Sequence, residues 1–508
     1  EKRIQIKLLS EYLLNSSTNL NDEKLSDEII SIFEKKDIWV NGPFPAKERL
    51  GWIDFAKVIN LSQKKCSSSL NKINFENIIF IGMGGSIQTG KVLKQLHPNK
   101  SILFLDSTNP SEVIKVSRKI NNKKNIFIIM SKSGSTIETN AIMNFFINQM
   151  KKKYTEDFGK HFIAITDKGT DLEIFAQKYK FLKIITTERD IGGRFSSSTS
   201  FGLMPYYALK KGELKKISNS VDEALQKSKI LSNALTNEIK KNNSNKINIK
   251  ISDNISEMGI WLEQLIAESS GKNNKGVTPI VSNLPNSKSL IQIFSNKNYE
   301  NGKNEKLLNI KIAKDNIFED MYIWQIAILI LCKKINVFPF DEPDVKNSKI
   351  NTMKIIKSKK NKPSSDMPFF NKNISEIFDK NLTKDVLYLN LYTPENKNLK
   401  KSLKDFKIHL KLSKNINSIS SFGPRYLHSI GQLQKGGPKN IWAIFFYDLK
   451  ENNIFDAKNE YNELRDTFNS QMLGDYFALK EEGIESYLIN INSKNINPFD
   501  KILKQIKE

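Results

Sequence analysis

From residue 77 onward, short apolar runs alternate with longer stretches of helical period. NIIFIG (77–82), SILFLD (101–106), NIFIIMS (125–131), FIAIT (162–166) and LKIITT (182–187) are rich in Ile and Phe. Each is too short for a helix and apolar at consecutive positions, as a strand buried on both faces requires. Such strands, separated by helical segments, predict a parallel sheet with helices on both faces. A first α/β domain is therefore expected over 76–212. Residues 213–245 are Lys- and Asn-rich and read as a helical connector. A second α/β domain with a C-terminal extension is expected over 246–508. Its candidate strands lie at 289–295, 308–313, 386–392, 408–412, 442–448 and 486–491. Residues 1–75 read as an N-terminal helical segment, because LSEYLL and SDEIISIFEKK are amphipathic and NGPFP (41–45) is a breaker. KIIKSKKNKPSSDMP (354–368) has the composition of a surface loop.

Glycines and hydroxyls gather where these strands end. GMGGS (82–86) follows the first strand and opens a helix. A strand, a glycine loop and a helix N-terminus make an anion site, because unpaired N–H groups and the positive helix end face the ligand. A dinucleotide fingerprint would need glycine at 87, where Ile87 stands, even though Asp106 ends the next strand as that motif would want. Gly85-x4-Gly90-Lys91 falls short of a P-loop, because Val92 replaces the magnesium-binding hydroxyl. SKSGSTIET (131–139) places Ser131, Ser133, Ser135 and Thr136 at another strand end. Ser135-x-x-Glu138 also fits a capping box, but a cap needs one hydroxyl, not four. Two such adjacent loops suit a phosphomonoester.

Four further segments carry reactive side chains. DIGGRFSSSTSFGL (190–203) sets Arg194 after Gly192 and Gly193, where it reads either as a surface ion pair or as a partner for an oxyanion. WLEQLIAESSGK (261–272) ends a helix at Glu268. The dipole at that end raises a carboxyl pKa, as a general base requires. Glu263 on the same helix reads as a solvated carboxylate. NVFPFDEPDVKNSK (336–349) carries Lys349, and FGPRYLHSIGQLQKGGP (422–438) carries His428, the side chain suited to proton transfer near neutral pH.

Composition narrows the classes. The chain has 508 residues, 39% of them hydrophobic and 26% charged, which fits a multidomain globular protein. Only Cys66 and Cys332 occur, with no CxxC, so neither a disulfide framework nor a cysteine zinc module is expected, and both read as buried. The four histidines never pair at helical spacing, so no metal site is expected. The formal charge of +24 comes from 79 Lys plus Arg against 55 Asp plus Glu, yet only seven are Arg and the lysines are spread along the chain. Nucleic-acid binding is therefore not expected, while a basic surface would attract small anions. EKRIQIKLLSEYLL lacks the apolar core of a secretory signal, and YIWQIAILILC (322–332) is too short to span a membrane. A cytoplasmic protein without membrane association is expected.

Together GMGGS, SKSGST, GGRFS, AESSGK, PFDEPDV and LHSIGQ resemble the motifs of the glucose-6-phosphate isomerase family, across residues 77–432. The spelling of LEQLIAESSGKNNKG and RYLHSIGQLQKGGP most resembles the isomerase half of a transaldolase/isomerase fusion. The resemblance implies two sugar-isomerase (SIS) α/β domains, a homodimer, no cofactor, and reversible conversion of glucose 6-phosphate to fructose 6-phosphate. By resemblance, Ser86, Ser131, Lys132, Ser133 and Thr136 hold the phosphate, and Gly85, Gly193 and Glu138 line the sugar site. Glu268 would move the proton between C2 and C1, Arg194 would stabilise the enediolate, and Lys349 and His428 would assist ring opening. Three departures stand out. The order Glu268, Lys349, His428 differs from the Glu, His, Lys order of many relatives. Glu342 stands where Gln is frequent. SSSTSF (196–201) replaces a bulkier segment. A related phosphoglucose/phosphomannose isomerase and a non-catalytic sugar-phosphate sensor are the alternatives.

Overall fold

The structure is a computed structural model. It describes residues 6–7, 39, 42–70, 74–210, 214, 221–241, 245–282, 291–294, 308–312, 317–358, 374–448, 459–491 and 497–507. Among them are three β-sheets, each flanked by helices.

After a two-residue strand β1 (Ile6–Lys7), the first sheet collects β2 (Asn77–Gly82), β3 (Ile102–Leu105), β4 (Asn125–Met130), β5 (Phe162–Asp167) and β6 (Lys183–Thr187). Its order is β3-β2-β4-β5-β6, all parallel. The alternation of side chains decides the packing. Ile78, Phe80, Ile128 and Met130 enter one core, while Ile79, Ile81, Phe127 and Ile129 enter another on the opposite face. Helix Gly85–Leu96 covers the first face through Ile87, Val92 and Leu93, and helix Ile137–Tyr154 covers the second through Ile142, Phe145 and Phe146. The connections after neighbouring β2 and β4 thus leave on opposite faces. A crevice opens between them at the strands' carboxyl ends, where α/β sheets bind ligands. GMGGS and SKSGST flank that crevice.

The second sheet holds β7 (Lys246–Ile251), β8 (Thr278–Ser282), β9 (Ile291–Phe294) and β10 (Leu308–Lys311), with β1 antiparallel at its edge. Helix Ser256–Ser270 joins β7 to β8, and helix Ile317–Lys334 is buried from Ile317 through Cys332. The third sheet is β12-β11-β13-β14, all parallel, from β11 (Val386–Tyr392), β12 (Asn417–Phe422), β13 (Ile441–Tyr447) and β14 (Glu485–Asn490). The α/β class with parallel sheets between helices is thus as the sequence implies, but the region after 246 builds two sheets rather than one.

One predicted strand is a helix. Residues 408–412 lie inside helix Lys397–Lys414. Leu399, Leu403, Phe406 and Leu410 repeat at helical spacing and are buried, whereas Leu412 is 76% exposed. Asn396 caps this helix by accepting the Leu399 N–H at 2.8 Å, and Asn415 ends it at φ +52°. β7, β8 and β12 escaped the sequence reading. KINIKI alternates, TPIVS carries a proline and NSISSF is serine-rich, so none forms a long apolar run. Helix Val221–Lys241 falls within the expected connector, and Cys66 and Cys332 are free and buried. Of the expected surface loop 354–368, residues 354–358 belong instead to helix Lys346–Ser358; LSEYLL, SDEIISIFEKK and residues 359–368 lie outside the described residues. Among the described residues, no helix is long and apolar enough to cross a membrane.

Candidate active site

Two glycines let three motifs meet. Gly84 has φ +52°, and a Cβ there would lie 2.8 Å from the His428 carbonyl oxygen and 3.0 Å from Gln264 Nε2. A Cβ on Gly85 would collide with the Gly193 carbonyl at 2.2 Å. Only glycine allows this approach. GMGGS therefore packs directly on GGRFS and on the segment that carries His428. Ser86 is buried in the first turn of helix Gly85–Leu96.

In the neighbouring loop, Ser131 Oγ lies 3.2 Å from Thr136 Oγ1 and accepts the Gly134 N–H at 3.1 Å. Ser133 is exposed, and its Oγ accepts from Ser135. The Lys132 ammonium turns to Asp167, 2.5 Å away, and to the Glu188 carbonyl. Lys132 and Ser133 also face an open cavity of about 450 Å³ shared with Arg49 and Arg189.

The capping-box reading of Ser135 and Glu138 does not hold. The cap position is Thr136, and Glu138 points elsewhere. Its Oε1 lies 2.7 Å from His428 Nε2 and accepts from Gln471 Nε2 at 2.6 Å, with Glu138 only 2% exposed. Burial is the largest influence and opposes both charges, but the partner's charge and hydrogen bond, with Gln471 adding for Glu138 and Glu268 for His428, turn the balance. Glu138 is held below the usual carboxylate range and His428 above the usual imidazole value. Gln471, on helix Asn462–Glu481, gave no sequence signal.

Arg194 is buried, which removes the surface ion-pair reading. Its Nη2 donates to the carbonyls of Pro339 at 2.6 Å and Asp341 at 3.0 Å, and its Nε donates to Ser269 Oγ. Its Nη1 reaches Glu268 Oε2 at 3.3 Å and Glu342 Oε2 at 3.1 Å. Gln264, one helical turn before Glu268, donates to the same Glu268 oxygen at 3.3 Å; its i, i+4 spacing was the available signal. Burial pushes Glu268 up to about 7, Arg194 pulling it back and Glu342 adding to the rise. Glu342, whose side chain is 48% exposed, is held low chiefly by Arg194 against the effect of burial. Lys272 is a further residue the sequence reading missed. Its ammonium donates to the carbonyls of Glu268 at 2.7 Å and Ser269 at 2.9 Å, closing the end of the helix that bears Glu268.

The exposed Lys349 contributes to the electrostatics of both Glu342 and His428, and His428 in turn to that of Glu268. Glu263 is corrected: it is half-buried and pushed up to about 7 by burial, with Lys407 opposing.

The structure thus brings together two hydroxyl-bearing strand-end loops, a buried carboxylate–guanidinium pair and an imidazole–carboxylate pair. The phosphoglucose isomerase family model matches residues 55–281, from the N-terminal side of GMGGS to just past Glu268. Over that segment the chain is similar to the phosphoglucose isomerase family. A relative named glucose-6-phosphate isomerase from Methanocaldococcus jannaschii is 31% identical over 280 residues, covering 52% of this chain and 66% of its own length. One of the same name from Thermus thermophilus is 28% identical over 233 residues, covering 44% of this chain and 56% of its own length. The chain therefore spans just under two thirds of the first relative and little more than half of the second. Among solved structures, a glucose-6-phosphate isomerase from Chlamydia trachomatis shares the fold at a TM-score of 0.51 and 15% identity, over 67% of this chain and 84% of that one. A hypothetical protein from Thermus thermophilus does so at 0.51 and 19%, over 65% and 94%. The phosphoglucose isomerase match ends before Glu342, Lys349 and His428, so the placement of those three residues rests on the structure's own geometry.

Proposed function

We propose that this chain is a glucose-6-phosphate isomerase, converting glucose 6-phosphate and fructose 6-phosphate through an enediolate. The observation that carries the reading is the Arg194–Glu268 pair: a buried carboxylate raised to about 7, held 3.3 Å from a buried guanidinium, inside the family-matched segment. A carboxylate poised near the working pH can both take and return a proton. A fixed cation beside it stabilises negative charge developing on oxygen.

The phosphate sits in the crevice between GMGGS and SKSGST, on the hydroxyls of Ser86, Ser131, Ser133 and Thr136 and on nearby backbone N–H groups. Lys132 contributes its backbone N–H there, since its ammonium is engaged by Asp167. His428, whose pKa Glu138 raises, supplies a proton to the ring oxygen while the O1 hydroxyl gives up its proton to solvent and the sugar opens, and Lys349 adds positive charge nearby. Gly85, Gly193 and Glu138 border the sugar. Glu268 then removes the C2 proton, Arg194 stabilises the enediolate oxygens, and Glu268 returns the proton to C1. The C2 proton moves to C1 and the O2 hydroxyl proton moves to O1 by way of solvent, so the reaction balances without an oxidant or reductant.

A coupled assay of the purified chain with glucose 6-phosphate, fructose 6-phosphate and mannose 6-phosphate tests the reading. Reversible turnover of the first two supports it. Failure with every sugar phosphate, in protein that still binds them, would instead favour a sensor. Comparable turnover of mannose 6-phosphate would mark broader specificity.

A further inference from the structure

Two residues left over from the near-miss nucleotide motifs find a common partner. Lys91, the lysine of the incomplete P-loop, donates to Asp106 Oδ2 at 2.9 Å. Asp106, the acid at the end of β3, accepts on its other oxygen from Arg425 Nε at 3.1 Å. Arg425 Nη2 also donates to Glu112 Oε2 at 2.8 Å, and its Nη1 pairs with Glu395. Lys91 further lies 3.5 Å from Glu257, at the start of the helix that bears Glu268. Arg425 is 17% and Asp106 7% exposed at the side chain, so the cluster is largely out of water. Asp106 is held at about 2 despite burial, because Arg425 and Lys91 face it.

Arg425 opens the single 3-10 turn Arg425–His428. In that turn residues three apart project to the same side. Arg425 and His428 thus both face the first sheet, one onto Asp106 and Glu112, the other onto Glu138. Between them Tyr426 is tied the other way, donating to Asp475 Oδ2 at 2.6 Å. The His428–Glu138 contact is one hydrogen bond between residues 290 apart in sequence, and one such bond does not fix a ring's position. Besides the close packing of Gly84 on His428, the Arg425 clamp ties the same turn to the first sheet.

We propose that Arg425 is a positioning residue for His428, its clamp on Asp106 and Glu112 setting the turn so that the imidazole meets Glu138. The catalytic part of this inference rests on the proposed isomerase reading, in which His428 serves ring opening. The groups facing His428 are Glu138 and, farther off, Lys349 and Glu268.

The test compares Arg425→Gln, Arg425→Lys and Asp106→Asn in the full chain. Each is assayed on glucose 6-phosphate and on an open-chain aldotetrose phosphate, and the His428 imidazole is titrated by NMR. Arg425→Gln is expected to lower kcat on the cyclic sugar by on the order of 10–100-fold, as a small misplacement does, with a much smaller loss on the open-chain substrate. Its His428 pKa should fall as Glu138 moves away. Arg425→Lys should restore part of both, Asp106→Asn should reproduce them if Arg425→Gln fails to fold, and Arg425→Gln should add no selective loss to His428→Ala. Variants that lose only thermal stability, with the substrate ratio and the His428 pKa unchanged, overturn the proposal. If the wild type turns over no sugar phosphate, the isomerase reading fails, and the His428 titration alone decides the clamp.

Discussion

Arg194 Nη1 and Glu268 Oε2 meet at 3.3 Å, with the guanidinium side chain 4% and the carboxylate side chain 12% exposed. The same nitrogen lies 3.1 Å from Glu342 Oε2. One buried cation thus serves two carboxylates, and their charges act on each other. Burial and Glu342 raise Glu268, while Arg194 lowers it.

A pH profile follows from this arrangement. In the proposed reaction Glu268 is the base and must be deprotonated, so kcat/KM should fall on the acid side with a midpoint near about 7, the value to which burial pushes it. Glu342→Gln removes a charge that raises Glu268 and leaves Arg194 more available to it. Both effects move the acid midpoint downward. The substrate phosphate, which titrates at about 6, is the same for both enzymes and cancels in the comparison. A midpoint that stays put or rises in Glu342→Gln contradicts the coupling.

The proposed phosphate site gives a second expectation. Ser131→Ala with Thr136→Ala removes two hydroxyls that lie 3.2 Å apart at the end of β4. Affinity for sugar phosphates should weaken by about 1–3 kcal/mol, seen mainly in KM and in inhibitor binding. Unchanged KM and inhibitor affinity would remove this loop from the site.

Much of the site was legible because its chemistry sits in local motifs. Glycines at 84 and 85, hydroxyls at 131–136 and a carboxylate at a helix end each carry a short-range reason for their place. What joins them was not legible. Glu138 looked like a cap residue because its spacing from Ser135 fits one, and only the distant His428 and Gln471 draw it away. Asp106 and Lys91 suggested nucleotide motifs that fail at Ile87 and Val92, and their partner Arg425 lies more than 300 residues on. Helix Lys397–Lys414 hid a false strand because IHLKL alternates locally, while the buried period is visible only over the longer window from Leu399 to Leu410.

The scaffold behind the site makes a stability prediction. Lys435 Nζ and Asp475 Oδ1 lie 2.5 Å apart with both side chains 0% exposed, and Ser348 and Tyr426 also donate to Asp475. Asp475→Asn leaves Lys435 a buried charge without its counterion and should cost about 3–5 kcal/mol. Replacing both partners with Met and Leu should cost less, because no lone charge remains. Guanidinium denaturation of the two variants against wild type checks this; a double variant less stable than Asp475→Asn would show that the pair is not what Asp475 chiefly provides.

The most direct test is turnover in D₂O, with wild type and Glu268→Gln side by side. A proton held on Glu268 between C2 and C1 should partly exchange with solvent before it is returned. Wild-type fructose 6-phosphate should then carry deuterium at C1, below one full equivalent. Glu268→Gln keeps the shape but cannot accept the proton, so kcat should fall by about 10²–10⁴-fold with little change in KM. Direct hydride transfer would carry the substrate's own hydrogen across without solvent label. Product free of deuterium at every conversion, together with near-normal kcat in Glu268→Gln, would contradict both the enediolate route and the role of Glu268.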